Sequence, residues 1–172
     1  MNTSTKILTR EALIEKLKDH RARGQSIALA NGVFDILHVG HVRYLEAAKK
    51  EADILVVAVN SDSSVTPLKG AGRPILPQHD RAILVAALRP VDYVTIFGEP
   101  NVENLLHALR PNVHAKGTDY TEANVPERET SKKLGIRTAI VGDPKDHSTR
   151  DLIALVREKA RIAESRRRRR SS

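Results

Sequence analysis

The chain has 172 residues, enough for one domain with a real core and too few for two full ones. Hydrophobic residues at 40% and charged residues at 29% are an ordinary globular balance, and the lack of any cysteine excludes disulfides, thiolate metal sites and a thiol nucleophile. The formal net charge of +8 belongs mostly to the C-terminus, where residues 157–172 hold eight Lys or Arg against two Glu, so the body is nearly neutral and nucleic acid is not an expected partner.

In chain order, a polar N-terminus without an apolar signal core leads to Thr9, which caps a helix over residues 10–23. Leu13, Ile14 and Leu17 share one face of that helix, and Gly24 ends it. Residues 27–30 form a short strand apolar on both sides, as expected of a strand covered on both faces. A turn rich in polar residues, 31–41, then opens a helix over about 40–51, and residues 54–59 are a second β-branched strand. Residues 63–77, rich in Gly, Pro and Ser, read as the longest loop, and loops of that length in a compact domain tend to be functional. Pro77 opens a helix over 78–88 and Pro90 closes it.

Residues 91–97 form a third strand, 102–109 a helix, 113–115 a short strand, 126–134 a polar helix and 138–141 a fifth strand. Ser148 caps a last helix running to about residue 163. Arg166 to Arg170 are a like-charge block that should repel itself, so the expected organisation is one domain over 1–163 and a disordered Arg-rich tail over 164–172. No apolar run is long enough to span a bilayer, and a cytoplasmic protein is expected. Strands alternating with helices predict an α/β fold: a Rossmann-like, doubly wound sheet of about five parallel strands with helices on both faces.

Ligands of such sheets bind outside the carboxyl ends of the strands. The segments at those ends are 31–41, 60–74, 97–101, 116–120 and 142–149, and most of the polar residues of interest fall in them. In the first, His38 and His41 flank Gly40 at the start of a helix, where unpaired amides and the helix dipole favour an anion. That arrangement reads as a phosphate site, with Gly40 leaving room for close approach. Asp35 reads equally as a turn-fixing cap or a ligand contact, while Val33 and Phe34 supply backbone amides or packing.

The run Asn31-Gly32-Val33-Phe34-Asp35-Ile36-Leu37-His38-Val39-Gly40-His41 resembles the HxGH signature of the nucleotidyltransferase superfamily that includes cytidylyltransferases. Val59-Asn60-Ser61-Asp62, Leu68-Lys69-Gly70 with Arg73-Pro74, Arg81, Val91-Asp92, Lys116-Gly117 with Asp119-Tyr120, and Ser148-Thr149 narrow the resemblance to the adenylyltransferase domains of ADP-heptose synthases. It covers roughly residues 8–160. In many such relatives the domain follows a sugar kinase; with about two dozen residues before the first strand, the chain resembles a stand-alone form.

The resemblance implies AMP transfer from ATP to a sugar 1-phosphate, with Mg²⁺ held mainly by the ATP phosphates, no protein metal cage, and a homodimer. It assigns His38, His41 and Lys69 to catalysis, and Val33, Phe34, Asp35, Gly40, Lys116, Gly117, Asp119, Ser148 and Thr149 to the nucleotide. Asn60, Asp62, Arg73, Arg81 and Tyr120 fall to the acceptor, Arg73 reading equally as a partner of a carboxylate. Thr118 stands where relatives carry a second glycine, and His147 and Arg150 also depart from the pattern. The same turn serves cytidylyl transfer to glycerol 3-phosphate or other phospho-alcohols. A non-enzymatic alternative is a nucleotide sensor or a polyanion binder using the arginine tail.

Overall fold

Continuous runs of β-branched and small apolar residues form the strands β1 (Ile27–Gly32), β2 (Ile54–Asn60), β3 (Tyr93–Phe97), β4 (Val113–Gly117) and β5 (Arg137–Val141). The computed structural model describes the backbone of residues 2–143 and 149–170 and the side chains of residues 2–143 and 152–163. All strand pairs are parallel and the sheet order is β3-β2-β1-β4-β5. Between them run α1 (Arg10–Ala22), α2 (Val39–Lys49), α3 (Asp62–Lys69), α4 (Gln78–Ala86), α5 (Glu103–Leu109), α6 (Arg128–Lys133) and α7 (Thr149–Arg170).

Both faces of the sheet are covered, which is why the strands read as unbroken apolar runs. On one face Leu45 and Ala48 of α2 and Ala82 and Val85 of α4 pack on Ala28, Ala30, Leu55 and Val57. On the other, Leu13 and Leu17 of α1 and Leu105, Leu106 and Leu109 of α5 pack on Ile27, Leu29, Val56 and Ala58. Thr9 caps α1 by accepting the Ala12 amide at 3.3 Å, and Gly24, at φ 74°, supplies the left-handed residue that follows it.

The order reverses between β1 and β4, since the chain moves outward through β2 and β3 and then crosses back. Their register pairs Leu29 with His114 and Ala30 with Ala115, so the strand ends of Asn31 and Lys116 face one crevice at the carboxyl edge.

Two segments differ from expectation. The first half of the anticipated loop 63–77 is helix α3, despite Pro67. Ser61 caps it by accepting the Ser64 amide, and exposed Ser63 leaves to water the carbonyl that an amide at position 67 would have reached. The last helix runs to Arg170, through the segment expected to be a disordered tail and past the expected end near residue 163. Arginine is a strong helix former, and cations complement the carboxyl end of the helix dipole.

Candidate active site

The two histidines sit where β1 ends and α2 begins. His38 is the N-cap residue of α2, with extended backbone at φ −141° and ψ 171°, and Gly40 and His41 lie in the first turn. The His38 amide donates to Nδ1 of His41 at 3.4 Å, so the neutral His41 ring carries its proton on Nε2. The two rings lie against each other, tilted by 38° with centroids 3.9 Å apart. Both side chains are half-buried, at the opening of a helix whose unpaired amides favour an anion.

Phe34 supports this pair from below. It is buried and held at φ 51°, a left-handed backbone that costs on the order of 1 kcal/mol for a non-glycine residue. Its ring lies 5.3 Å from that of His41, and its edge stands 3.1 Å from where a β-carbon on Gly32 would lie. Gly32 is therefore glycine so that Phe34 can fold under the turn.

On the β2 side several of the expected nucleotide and acceptor residues make internal contacts. Asp35 is 2% exposed, and its Oδ1 accepts the amides of Ile75 at 2.7 Å and Leu76 at 2.9 Å. Its Oδ2 forms an ion pair with Arg73 at 2.9 Å. Asp35 thus makes the contacts of its turn-fixing reading, and Arg73 those of a carboxylate partner.

Arg81, expected to face phosphates, is instead fully buried. It donates to the carbonyls of Leu76, Val33 and Asn60 and to Oδ1 of Asp62 at 2.7 Å. One guanidinium thus ties together the ends of β1 and β2 and the lead-in to α4. Asn60 is buried, and its amide donates to the Ser64 hydroxyl at 3.3 Å. Asp62 opens α3, its amide donating to Gln78 at 2.9 Å.

At the end of β4 the expected nucleotide ligand Lys116 lies in a buried ion pair. Its ammonium is 3.3 Å from Oε2 of Glu127, with side chains 7% and 4% exposed, and stands 4.6 Å above the Tyr120 ring. Burial and the charges of Asp119 and Glu127 raise the Tyr120 pKa. Gly117 has no room for a side chain, since a β-carbon there would meet Oδ1 of Asp119 at 2.9 Å. Thr118, in place of the relatives' glycine, donates its hydroxyl to the Asp143 carbonyl at 2.6 Å, and Arg43 of α2 pairs with the Asp143 carboxylate at 3.2 Å. The loops after β4 and β5 are thereby tied to each other and to α2.

Lys69 ends α3 and is exposed, beside Gly70 at φ 91°. Ser148 lies outside the described residues, as does His147, while Thr149 is described only as the first backbone residue of α7. Sequence reasoning passed over Glu127, Tyr44 and His114. Tyr44, on the inner face of α2, donates its hydroxyl to the Ala115 carbonyl at 2.8 Å and receives the Asn31 amide, and burial raises its pKa far above the ordinary value. His114 is fully buried, and burial followed by the nearby Lys116 charge lowers its pKa from 6.5 to about 3, so it is neutral.

A family model described as cytidylyltransferase-like matches residues 29–162, and the chain belongs to that family. The bifunctional protein HldE of Pelobacter propionicus is 41% identical over 158 residues, 92% of this chain and 32% of the relative. The protein of the same name from Pseudomonas paraeruginosa is 42% identical over 153 residues, covering 89% and 32% of the two chains. The chain thus spans about a third of the length of the curated relatives it matches. Among solved structures, a lipopolysaccharide core biosynthesis protein from Thermoplasma volcanium superposes with a TM-score of 0.62 at 28% identity, covering 71% of this chain and all of its own.

Proposed function

We propose that this chain transfers the AMP group of ATP to a sugar 1-phosphate, D-glycero-D-manno-heptose 1-phosphate by our reading, releasing pyrophosphate and forming ADP-heptose. One observation carries the reaction: two histidines in ring contact at the start of α2, on the carboxyl end of β1 and beside the point where strand order reverses. A phosphate oxygen of the acceptor attacks the α-phosphorus of ATP in line, and the bond to the bridging oxygen of pyrophosphate breaks. Such a transfer asks the protein for positioning and for charge stabilisation. The N–H groups of His38 and His41, with the first amides of α2, are suited to hold the α-phosphate and the bridging oxygen as negative charge builds.

Mg²⁺ on the polyphosphate would lower its charge. Among the described residues no group of three or more His, Cys, Asp or Glu stands together. Lys69, exposed at the end of α3 and followed by Gly70 and Gly72, is our further phosphate contact. No helix among the described residues is long and apolar enough to cross a membrane, and we assign the reaction to the cytoplasm, where ATP is available.

The heptose acceptor draws support from the resemblance in residues 59–62, 68–74 and 116–120, from relatives that are bifunctional proteins, and from a structural neighbour in lipopolysaccharide core biosynthesis. The family resemblance also implies a homodimer, which sedimentation equilibrium tests. A pyrophosphate-release assay over ATP, CTP and GTP against heptose 1-phosphate anomers and glycerol 3-phosphate tests the reaction and its substrates together. Release only with CTP and glycerol 3-phosphate would replace the substrates and keep the chemistry; no release with any pair would overturn the reaction.

A further inference from the structure

Where β1 and β4 part, one residue is held from two directions. The regular pairing of the two strands ends at Ala30 and Ala115. The hydroxyl of Tyr44 enters the gap beyond, accepting the Asn31 amide and donating to the Ala115 carbonyl at 2.8 Å. The Asn31 side chain is fixed separately, its Oδ1 lying 3.2 Å from Nε2 of His114. His114 is fully buried on the β4 face that also carries Lys116, and the nearest charge to it is a cation, so it stays neutral.

A neutral imidazole with Nε2 toward a carbonyl oxygen donates its proton there. Nδ1 of His114 then has no hydrogen-bond partner among the described residues, an unsatisfied buried acceptor. Such a group is costly to bury, and a buried histidine at the centre of a parallel sheet adds nothing that leucine would not supply to packing. What His114 does supply is direction. With Oδ1 of Asn31 engaged, the side chain of Asn31 offers its NH₂ group, and Asn31 is half-buried rather than sealed.

We propose that His114 is a positioning residue that turns the Asn31 amide donor toward the nucleotide in the crevice between β1 and β4, and that Asn31 contacts that nucleotide. The placing of the nucleotide rests on the proposed function: the α-phosphate sits at His38 and His41, directly after β1, and the nucleoside extends across the switch point. The acceptor on the ligand is a ribose hydroxyl or a ring nitrogen or carbonyl of the base, since those are the neutral acceptors that lie beyond the α-phosphate. Tyr44 keeps the two strand ends apart at the spacing the contact needs.

The test is equilibrium binding of ATP to the full chain by calorimetry, for wild type, Asn31→Ala, His114→Leu and the double variant. Each single change should weaken ATP by about 3- to 10-fold, the range of one hydrogen bond, and the double variant should be no weaker than Asn31→Ala alone. His114→Leu binding ATP as wild type does, or losses that multiply in the double variant, would overturn the proposal. A second measurement needs no altered fold. In ¹⁵N-labelled wild-type protein the Asn31 side-chain NH₂ signals, assigned by their loss in Asn31→Ala, should shift when ATP is added. Signals that stay in place while ATP binds would defeat this inference and leave the proposed function standing; failure of ATP to bind the wild type at all would defeat both.

Discussion

The two halves of the strand-end surface use their polar residues in opposite ways. On the β2 side, Asp35, Arg73, Arg81, Asn60 and Asp62 are joined to one another and to backbone groups, with Arg81 fully buried at the centre. Around the end of β1, the histidines and Asn31 are half-buried, with Nδ1 of His41 accepting the His38 amide and Oδ1 of Asn31 beside Nε2 of His114. On the proposed function, the first half is a scaffold built of charged residues and the second is the presenting surface it supports. Charged side chains at the mouth of a doubly wound sheet thus differ in burial and in the number of internal partners they hold.

The largest expected effect lies on the presenting side. His41→Ala should lower turnover by about 10²- to 10⁴-fold, read in the pyrophosphate assay, while leaving the thermal midpoint nearly unchanged. A variant that keeps wild-type turnover removes the histidines from the chemistry. Arg81→Ala should do the reverse. It strips three carbonyls and Asp62 of their buried partner and should cost about 3–5 kcal/mol in urea unfolding, with ATP affinity of the folded fraction within a few-fold of wild type. Wild-type stability combined with lost ATP binding would erase the distinction between the two halves.

Asp35→Ala frees the Ile75 and Leu76 amides and Arg73, and should destabilise by about 1–3 kcal/mol. The same change should speed proteolysis within residues 68–76, a rate that limited digestion measures. The smallest effect is a pH dependence. His114 is neutral in the folded chain, with a pKa of about 3 against 6.5 when unfolded, so the unfolded state takes up the proton first and stability falls as pH drops from about 6.5 toward 3. From about pH 7 to about pH 5.5 the loss should be about 1 kcal/mol, and His114→Leu should abolish that share. Equal slopes in the two proteins would mean that His114 takes up its proton in the native state as readily as in the unfolded chain.

How far these features could be read beforehand depended on whether they were local in the chain. The strands were legible because two-sided burial writes itself as uninterrupted runs such as Ile54–Asn60. The doubly wound fold follows from that alternation, and the turn at His38 and His41 was visible as a glycine and two histidines within four residues. Helix α3 was hidden by Pro67, which is exposed and follows the buried Ser64 and Val65. The burial of Arg81 was hidden because arginine is ordinarily a surface residue, and its partners at 33, 60, 62 and 76 are assembled only by the fold. The pairs His114 with Asn31 and Lys116 with Glu127 come from strand register and a returning loop, which no window along the chain contains.

Gly32 offers a handle on catalysis that does not touch the reacting groups. The Phe34 ring fills the space a side chain at position 32 would need, and its other neighbour is His41 at 5.3 Å between ring centres. An added methyl group would have to push the ring by a few tenths of an ångström, and the ring can pass that displacement to the imidazole. A graded series at this single position, from glycine through alanine to serine, would act as a tuning screw for the histidine pair, adjustable from beneath the site while the residues that meet the substrates stay as they are.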